Sequence, residues 1–142
     1  MILAAATALA VAASAQPPAP DPVAERVRRT LSDYEERLNR GDYAGALTYY
    51  ADDPRFFWVE QGKVVARSKV EIAAGYEKLK GSGMHISYEA PQVTVLSPDA
   101  AMITAGFSAR MGSGAQAAQF SGLVTLVLIR TRAGWKFLSG RA

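Results

Sequence analysis

LNRGDYAGALTYYADD, residues 38–53, reads as the end of one helix, a tight corner, a second short helix and an exit toward a strand. Gly41 stands where a helix C-terminus favours a left-handed residue. Asp42, beside it, is a strong N-cap type. Two helices joined by Gly-Asp fold sharply onto one another.

Upstream of the corner, Val23, Val27, Leu31, Tyr34 and Leu38 recur at spacings of four, four, three and four, which is one face of a helix. That predicts a helix over Val23–Arg40, with Asp21 as N-cap and Pro22 at the first helical position. Downstream, the second helix is expected over Tyr43–Ala51, with Ala46, Leu47 and Tyr50 facing inward, until Pro54 ends it. Arg55–Glu60, RFFWVE, is aromatic and β-branched and predicts a strand. Gln61-Gly62-Lys63 turns it back through Val64-Val65. Ser68 and Glu71 form a Ser-x-x-Glu capping box. It opens a third helix with Ile72, Tyr76 and Leu79 as its buried stripe, ended by Gly81-Ser82-Gly83.

From Met84 the period changes to two. Ile86 and Tyr88 alternate with His85, Ser87 and Glu89, and Pro91 marks a bulge or a change of face. Val93 and Val95 continue to a turn at Ser97-Pro98-Asp99. Ala101, Ile103, Ala105, Phe107 and Ala109 line one face of the next strand, which ends at Gly112-Ser113-Gly114. Phe120–Arg130 is apolar on both faces: Leu123, Val127 and Ile129 on one, Val124, Leu126 and Leu128 on the other. After Thr131–Gly134, the residues Trp135, Phe137, Ser139 and Arg141 are expected to share a face. Helices in the N-terminal half followed by strands define an α+β domain, a curved antiparallel sheet packed against three helices. A strand apolar on both faces needs cover on both sides. The helices cover one, so a second copy is expected on the other: a homodimer through the sheet.

The chain has 142 residues, one domain's worth, with 49% apolar residues and a formal charge of +3. Ile2–Ala12 is an uncharged apolar run, and Ala13-Ser14-Ala15 fits the small-x-small rule for cleavage before Gln16. Residues 1–15 are therefore read as a signal peptide, 16–22 as a Pro-rich linker and 23–142 as the domain, with the protein periplasmic or secreted. The apolar run is shorter than the ~20 residues that span a bilayer, so no stable membrane insertion is expected after cleavage. Cysteine is absent, which removes disulfides, thiolate nucleophiles and Cys-based metal sites. Arg26, Arg28, Arg29 and Arg40 are interleaved with Glu25, Asp33, Glu35 and Glu36 on the first helix. That mixed face is not the single-sign stripe that nucleic acid requires, and no nucleic-acid partner is expected.

Leu38-Asn39-Arg40-Gly41-Asp42, Tyr49-Tyr50-Ala51-Asp52-Asp53, Gly122-Leu123-Val124-Thr125-Leu126-Val127 and Gly134-Trp135-Lys136-Phe137, in that order, resemble the nuclear transport factor 2-like superfamily. Within it, they are similar to the SnoaL-like and ketosteroid-isomerase-like small domains, over about Val23 to Arg141. The resemblance implies a cone-shaped domain with a pocket between the helices and the concave sheet face, and frequent dimers. It does not imply one activity, because the fold hosts isomerases, dehydratases, cyclases and binding modules.

By that resemblance Tyr34 takes the place of a first-helix tyrosine that donates a hydrogen bond to a developing enolate, a role a neutral buried phenol can fill. The place of the isomerase's general base falls near Trp58, and that of its protonated acid near Thr125 or Leu126. None of these is a carboxylic acid, which argues against ketosteroid-isomerase chemistry. Glu60 is the carboxylate sharing a face with Trp58, and His85 is the only histidine; both are candidate bases. SnoaL-like relatives often carry histidines on the last strand, where Ser139 and Arg141 stand here. An arginine at a pocket mouth favours a carboxylate-bearing ligand.

One histidine without cysteine predicts no metal site, and no cofactor is expected. Asp52-Asp53 reads as a polar turn, and no Gly-x-Ser-x-Gly elbow occurs. Tyr34, Trp58, Tyr76, Tyr88 and Arg141 are the expected ligand-binding residues, and Tyr34, Glu60 and His85 the catalytic candidates. Three readings stand. In the first, an exported SnoaL-like domain binds a small, largely apolar molecule without catalysis. In the second, a small isomerase, dehydratase or hydrolase uses Tyr34 as oxyanion donor with Glu60 or His85 as base. In the third, the chain is a structural or partner-binding dimer module. An open pocket between helices and sheet favours the first two.

Overall fold

The computed structural model describes residues 19–142. The expected signal peptide and residues 16–18 of the linker lie outside the described residues. Helix α1 spans Pro22–Asn39, and the Asp21 carboxylate accepts the amides of Val23 (2.7 Å) and Ala24 (3.4 Å). Its buried stripe is Val27, Leu31, Tyr34 and Leu38 as the spacing predicts, but the first turn buries Ala24 while the expected Val23 is half-buried. Gly41 takes a φ of +73°, and its amide donates to the Leu38 carbonyl at 2.9 Å. Asp42 then caps α2, accepting the Gly45 amide at 2.9 Å and the Arg37 guanidinium at 2.6 Å.

Helix α2 covers only Tyr43–Leu47, four residues fewer than its sequence promises. The reason is tertiary. The Ala51 amide donates to the Phe137 carbonyl (2.9 Å), and the Phe137 amide donates to the Tyr49 carbonyl (2.8 Å). The backbone that would continue the helix is engaged by the last strand. The following strand also starts late. Asp53 accepts the Arg55 amide and holds its guanidinium, closing a turn before Phe57. Those bonds hold the Asp53 carboxyl down at about 2.

Strands β1 (Phe57–Glu60) and β2 (Lys63–Ala66) are joined at Gln61 and Gly62, both at positive φ, the signature of a type I′ turn. Helix α3, Lys69–Leu79, is capped by Ser68, whose hydroxyl accepts the Glu71 amide at 3.3 Å. Glu71 reaches back one residue further than an ordinary capping box, to the Arg67 amide. Strands β3 (His85–Ser97), β4 (Ala100–Met111), β5 (Ala118–Thr131) and β6 (Gly134–Arg141) follow, with a 3₁₀ turn at Gly114–Gln116.

The sheet order is β2-β1-β6-β5-β4-β3. The sheet is curved and unclosed, and it is mixed rather than purely antiparallel: β6 returns beside β1 in the same direction, with Phe57 opposite Ser139 and Trp58 opposite Gly140. The core lies on its concave face, where Ala101, Ile103, Ala105, Val124, Leu126, Leu128 and Phe137 are buried under the helices. The opposite face carries Leu123, 72% exposed, beside half-buried Val127 and Ile129. No described helix is long and apolar enough to cross a membrane.

Two bulges re-aim side chains. In β3 the register slips between Glu89 and Gln92, where Ala90 takes a φ of +45° ahead of Pro91. In β6 Leu128 faces Phe137 but Val127 faces Ser139, so Leu138 is the extra residue. This corrects the expectation that Trp135, Phe137, Ser139 and Arg141 share a face. Trp135 and Phe137 are buried with the core. Ser139 and Arg141 pair with Val127 and Thr125 and take their face, away from the helices.

Candidate functional site

The wide end of the concave face is open. A cleft of about 810 Å³ lies between it and helices α1 and α3. From β4 and β5 it is lined by Phe107, Ala109, Met111, Phe120 and Val124, and from α3 by Ile72, Ala74, Gly75, Tyr76 and Leu79. The sheet wall alternates large and small: Phe107 sits opposite Gly122, and Ala109 opposite Phe120. The Phe107 ring lies over Gly122, its Cε1 3.2 Å from the place a β-carbon would occupy.

Three phenols meet at the inner end. Tyr34 comes from α1, Tyr50 from the segment after α2, and Tyr76 from α3. The Tyr34 hydroxyl lies 2.5 Å from that of Tyr50 and 3.0 Å from that of Tyr76; Tyr50 and Tyr76 are 2.8 Å apart. Three hydroxyls carry three protons for three contacts, so a closed ring uses every donor internally. Edge-on packing fixes the rings: Tyr34 on Phe137 at 4.9 Å between centroids, and Tyr50 on Trp58 at 5.3 Å.

Burial pushes Tyr34 and Tyr50 well above the ordinary tyrosine value and Tyr76 up to about 12. The hydrogen bonds from Tyr34 and Tyr50 pull Tyr76 back down. Tyr76 is therefore the ring member whose negative charge the other two stabilise. It is also the most exposed of the three, at 8% against 4% and 3%. When Tyr76 turns its proton outward to an acceptor in the cleft, its oxygen still accepts from one of the other two hydroxyls, which in turn accepts from the third. Such a chain polarises the outward donor.

The expected site residues divide between the two faces of the sheet. Tyr34, Trp58, Tyr76, Tyr88 and Glu60 all line the cleft. Tyr88 is a half-buried wall residue whose amide donates to Glu35 at 3.2 Å; burial raises its phenol well above the ordinary value. Trp58 lies flat against Gly140, so its bulk is accommodated by a strand position without a side chain. Glu60 stands at the rim and forms no ion pair among the described residues.

His85 and Arg141 are elsewhere. His85 alternates with the cleft-lining Ile86 and sits opposite Arg110 on the outer face. It is not among the residues that line the cleft. Arg141 is carried to the outer face by the β6 bulge, so a carboxylate-binding arginine at the mouth is not what the geometry provides. Among the described residues no three His, Asp or Glu side chains converge to hold a metal ion.

Sequence reasoning missed the ring as a ring. Tyr34 and Tyr76 were each legible on helical stripes and Tyr50 as an inward aromatic, but their meeting point depends on three separate elements. It also missed Phe107 and Phe120 as wall residues. Their signal was the small residue across each pair, Gly122 and Ala109.

A mixed, curved sheet wrapped over three helices, with an apolar cleft at its wide end, defines the nuclear transport factor 2-like class of α+β domain. The chain belongs to the SnoaL-like domain family, whose model matches residues 27–141. Solved structures agree. An NTF2-like protein of unknown function from Shewanella oneidensis is 21% identical, with a TM-score of 0.71 over 82% of this chain and 95% of that one. A nuclear transport factor 2-like superfamily protein from Salmonella enterica is 16% identical, with a TM-score of 0.72 over 84% and 88%. A ketosteroid isomerase-like protein from Erwinia carotovora is 18% identical, with a TM-score of 0.67 over 85% and 95%. These likenesses establish the fold. No curated protein matches the sequence.

Proposed function

We propose that this domain binds a small, largely apolar molecule in the cleft, with the molecule's hydrogen-bond acceptor directed at Tyr76. The observation that carries the reading is the cleft itself. About 810 Å³ is left unfilled between α3 and the sheet, within the range of small-molecule sites, and it ends in neutral phenol donors. A domain serving only as scaffold gains nothing from that void, since unfilled space forfeits packing. Native mass spectrometry of the protein purified from its own host tests the proposal. A copurifying small molecule in the wild type, lost in Ala109→Trp, is the expected result; an empty wild-type protein that also fails to take up any apolar probe counts against it.

A second reading is favoured by one observation: Glu60 and the phenol ring line the same cleft. A carboxylate and a polarised phenol in one cleft are the two groups needed to abstract a proton next to a carbonyl while Tyr76 stabilises the resulting oxyanion. Turnover in an isomerase or dehydratase assay that falls in both Glu60→Gln and Tyr76→Phe supports it; unchanged turnover in both rules out these assignments. The protein is further proposed to be exported by its N-terminal apolar segment and to pair through the outer sheet face around Leu123.

A further inference from the structure

Seven of the twelve glycines have positive φ. The other five, in helices and strands, differ in what surrounds them. At four of them the missing side chain is replaced by a neighbour. Asp42 and Arg37 occupy the place at Gly45, Glu89 packs over Gly106, Phe107 over Gly122 and Trp58 over Gly140. Gly75 is the exception: nothing lies within 4 Å of where its β-carbon would stand.

Gly75 is also the one that local structure discourages. It is the seventh residue of the eleven in α3, where glycine costs stability relative to alanine and no unusual φ calls for it. Its open side faces the cleft. We propose that Gly75 is a ligand-contact position, and that a broad, flat apolar group lies against the bare α3 backbone there, opposite the sheet wall built by Phe107 and Phe120. The inference rests on the cleft-binding reading and adds to it the surface that sets ligand shape. Close approach of a flat group to backbone requires a wall nearly free of side chains, and Gly75, with only the Ala74 methyl beside it, supplies one. The space that Phe107 occupies at Gly122 is left at Gly75 for the ligand.

The test uses the full chain and Nile red, a flat, uncharged apolar dye, titrated by fluorescence. Gly75→Ala is expected to raise the thermal midpoint by a few degrees, because it removes a helix-interior glycine, while weakening dye binding several-fold. Gly75→Leu is expected to weaken binding roughly tenfold or more by filling the recess. Greater stability with poorer binding in Gly75→Ala is an outcome that a neutral surface glycine does not produce. Ala109→Trp, which fills the cleft from the sheet side, separates the two ideas. If it abolishes binding while both Gly75 variants bind as the wild type does, the Gly75 inference is overturned and the cleft reading stands. If wild-type protein takes up no dye, or Ala109→Trp leaves binding intact, both fall.

Discussion

The Tyr34 hydroxyl lies 2.5 Å from the Tyr50 hydroxyl, and both are within 3.0 Å of Tyr76. The family resemblance makes Tyr34 the candidate oxyanion donor; in the function proposed above Tyr76 is the outward donor and Tyr34 supports it. Tyr34→Phe removes two of the three contacts and leaves Tyr50 and Tyr76 bonded to each other. The expected cost is about 1–2 kcal/mol in urea denaturation. Ligand affinity should fall less than in Tyr76→Phe, which removes the outward donor itself.

The ring also makes the protein alkali-sensitive. Tyr34, Tyr50, Tyr76 and Tyr88 all have folded values above the ordinary 10, chiefly through burial. In the unfolded chain these phenols lose their protons near pH 10, whereas in the folded chain Tyr76 holds its own to about 12 and the other three hold theirs well beyond 10. Between those limits the unfolded state binds fewer protons, so stability falls as pH rises. The tyrosine contribution to the denaturation midpoint should be flat from neutral pH to about 10 and drop steeply above it. Absorbance at the phenolate band should show at least four of the six tyrosines ionising only with unfolding. Free titration of all six near pH 10 in folded protein would contradict the buried ring.

Trp58 and Gly140 predict a second stability effect. The indole occupies the place where a β-carbon on residue 140 would stand. Trp58 is 7% exposed in a crowded aromatic cluster with little room to shift. Gly140→Ala should therefore destabilise by about 1–3 kcal/mol, with a changed tryptophan emission spectrum. A silent substitution would mean that the indole moves freely, against its packing on Tyr50 and Phe137.

What the sequence made readable was local. The Asp21 cap, the α1 stripe, the Gly41-Asp42 corner, the Gln61-Gly62 turn and the Ser68 cap each depend on a few neighbouring residues, and each is found where the pattern places it. What it hid depended on distant partners. Helix α2 stops at Leu47 because Phe137, some ninety residues on, takes up the backbone beyond it. The bulge at Leu138 reverses Ser139 and Arg141, and nothing in Phe137-Leu138-Ser139-Gly140 announces it. Pro91 did announce the β3 bulge, because proline removes a ladder donor. Alternation located the cleft walls well where strands were regular and failed after the unmarked bulge in β6.

Leu123 is 72% exposed on the outer face, on a strand whose other face buries Val124, Leu126 and Leu128. A large aliphatic side chain standing in the middle of a sheet, with Val127 and Ile129 beside it, is an apolar patch that a second copy would cover. Sedimentation at micromolar concentration should give a dimer for the wild type. Leu123→Lys should shift it to monomer without lowering the helix and strand content, since Leu123 contributes nothing to the folded core. A wild-type monomer at that concentration would remove the dimer from the proposal and leave the cleft untouched.

Asn39 and Ile86 join the corner to the cleft. The Asn39 side-chain amide donates to the Ile86 carbonyl at 2.7 Å, and its oxygen accepts the Ile86 amide at 2.8 Å. It therefore acts as a one-residue neighbouring strand for the edge of the sheet. One helical turn earlier, Glu35 accepts the Tyr88 amide. Together they hold the first half of β3, and Ile86 and Tyr88 line the cleft. Asn39→Ala leaves a part-buried N–H and C=O without partners, at an expected cost of about 2 kcal/mol. Asn39→Asp should cost more at neutral pH. A carboxylate keeps the acceptor for the Ile86 amide, but it sets a negative oxygen against the Ile86 carbonyl where a donor is required. Hydrogen exchange should locate the loss at the amides of Ile86 and Tyr88, with the α2 cap at Gly45 still protected. Equal exchange across the whole domain in both variants would show that the clamp contributes to global stability alone and does not hold the cleft edge in place.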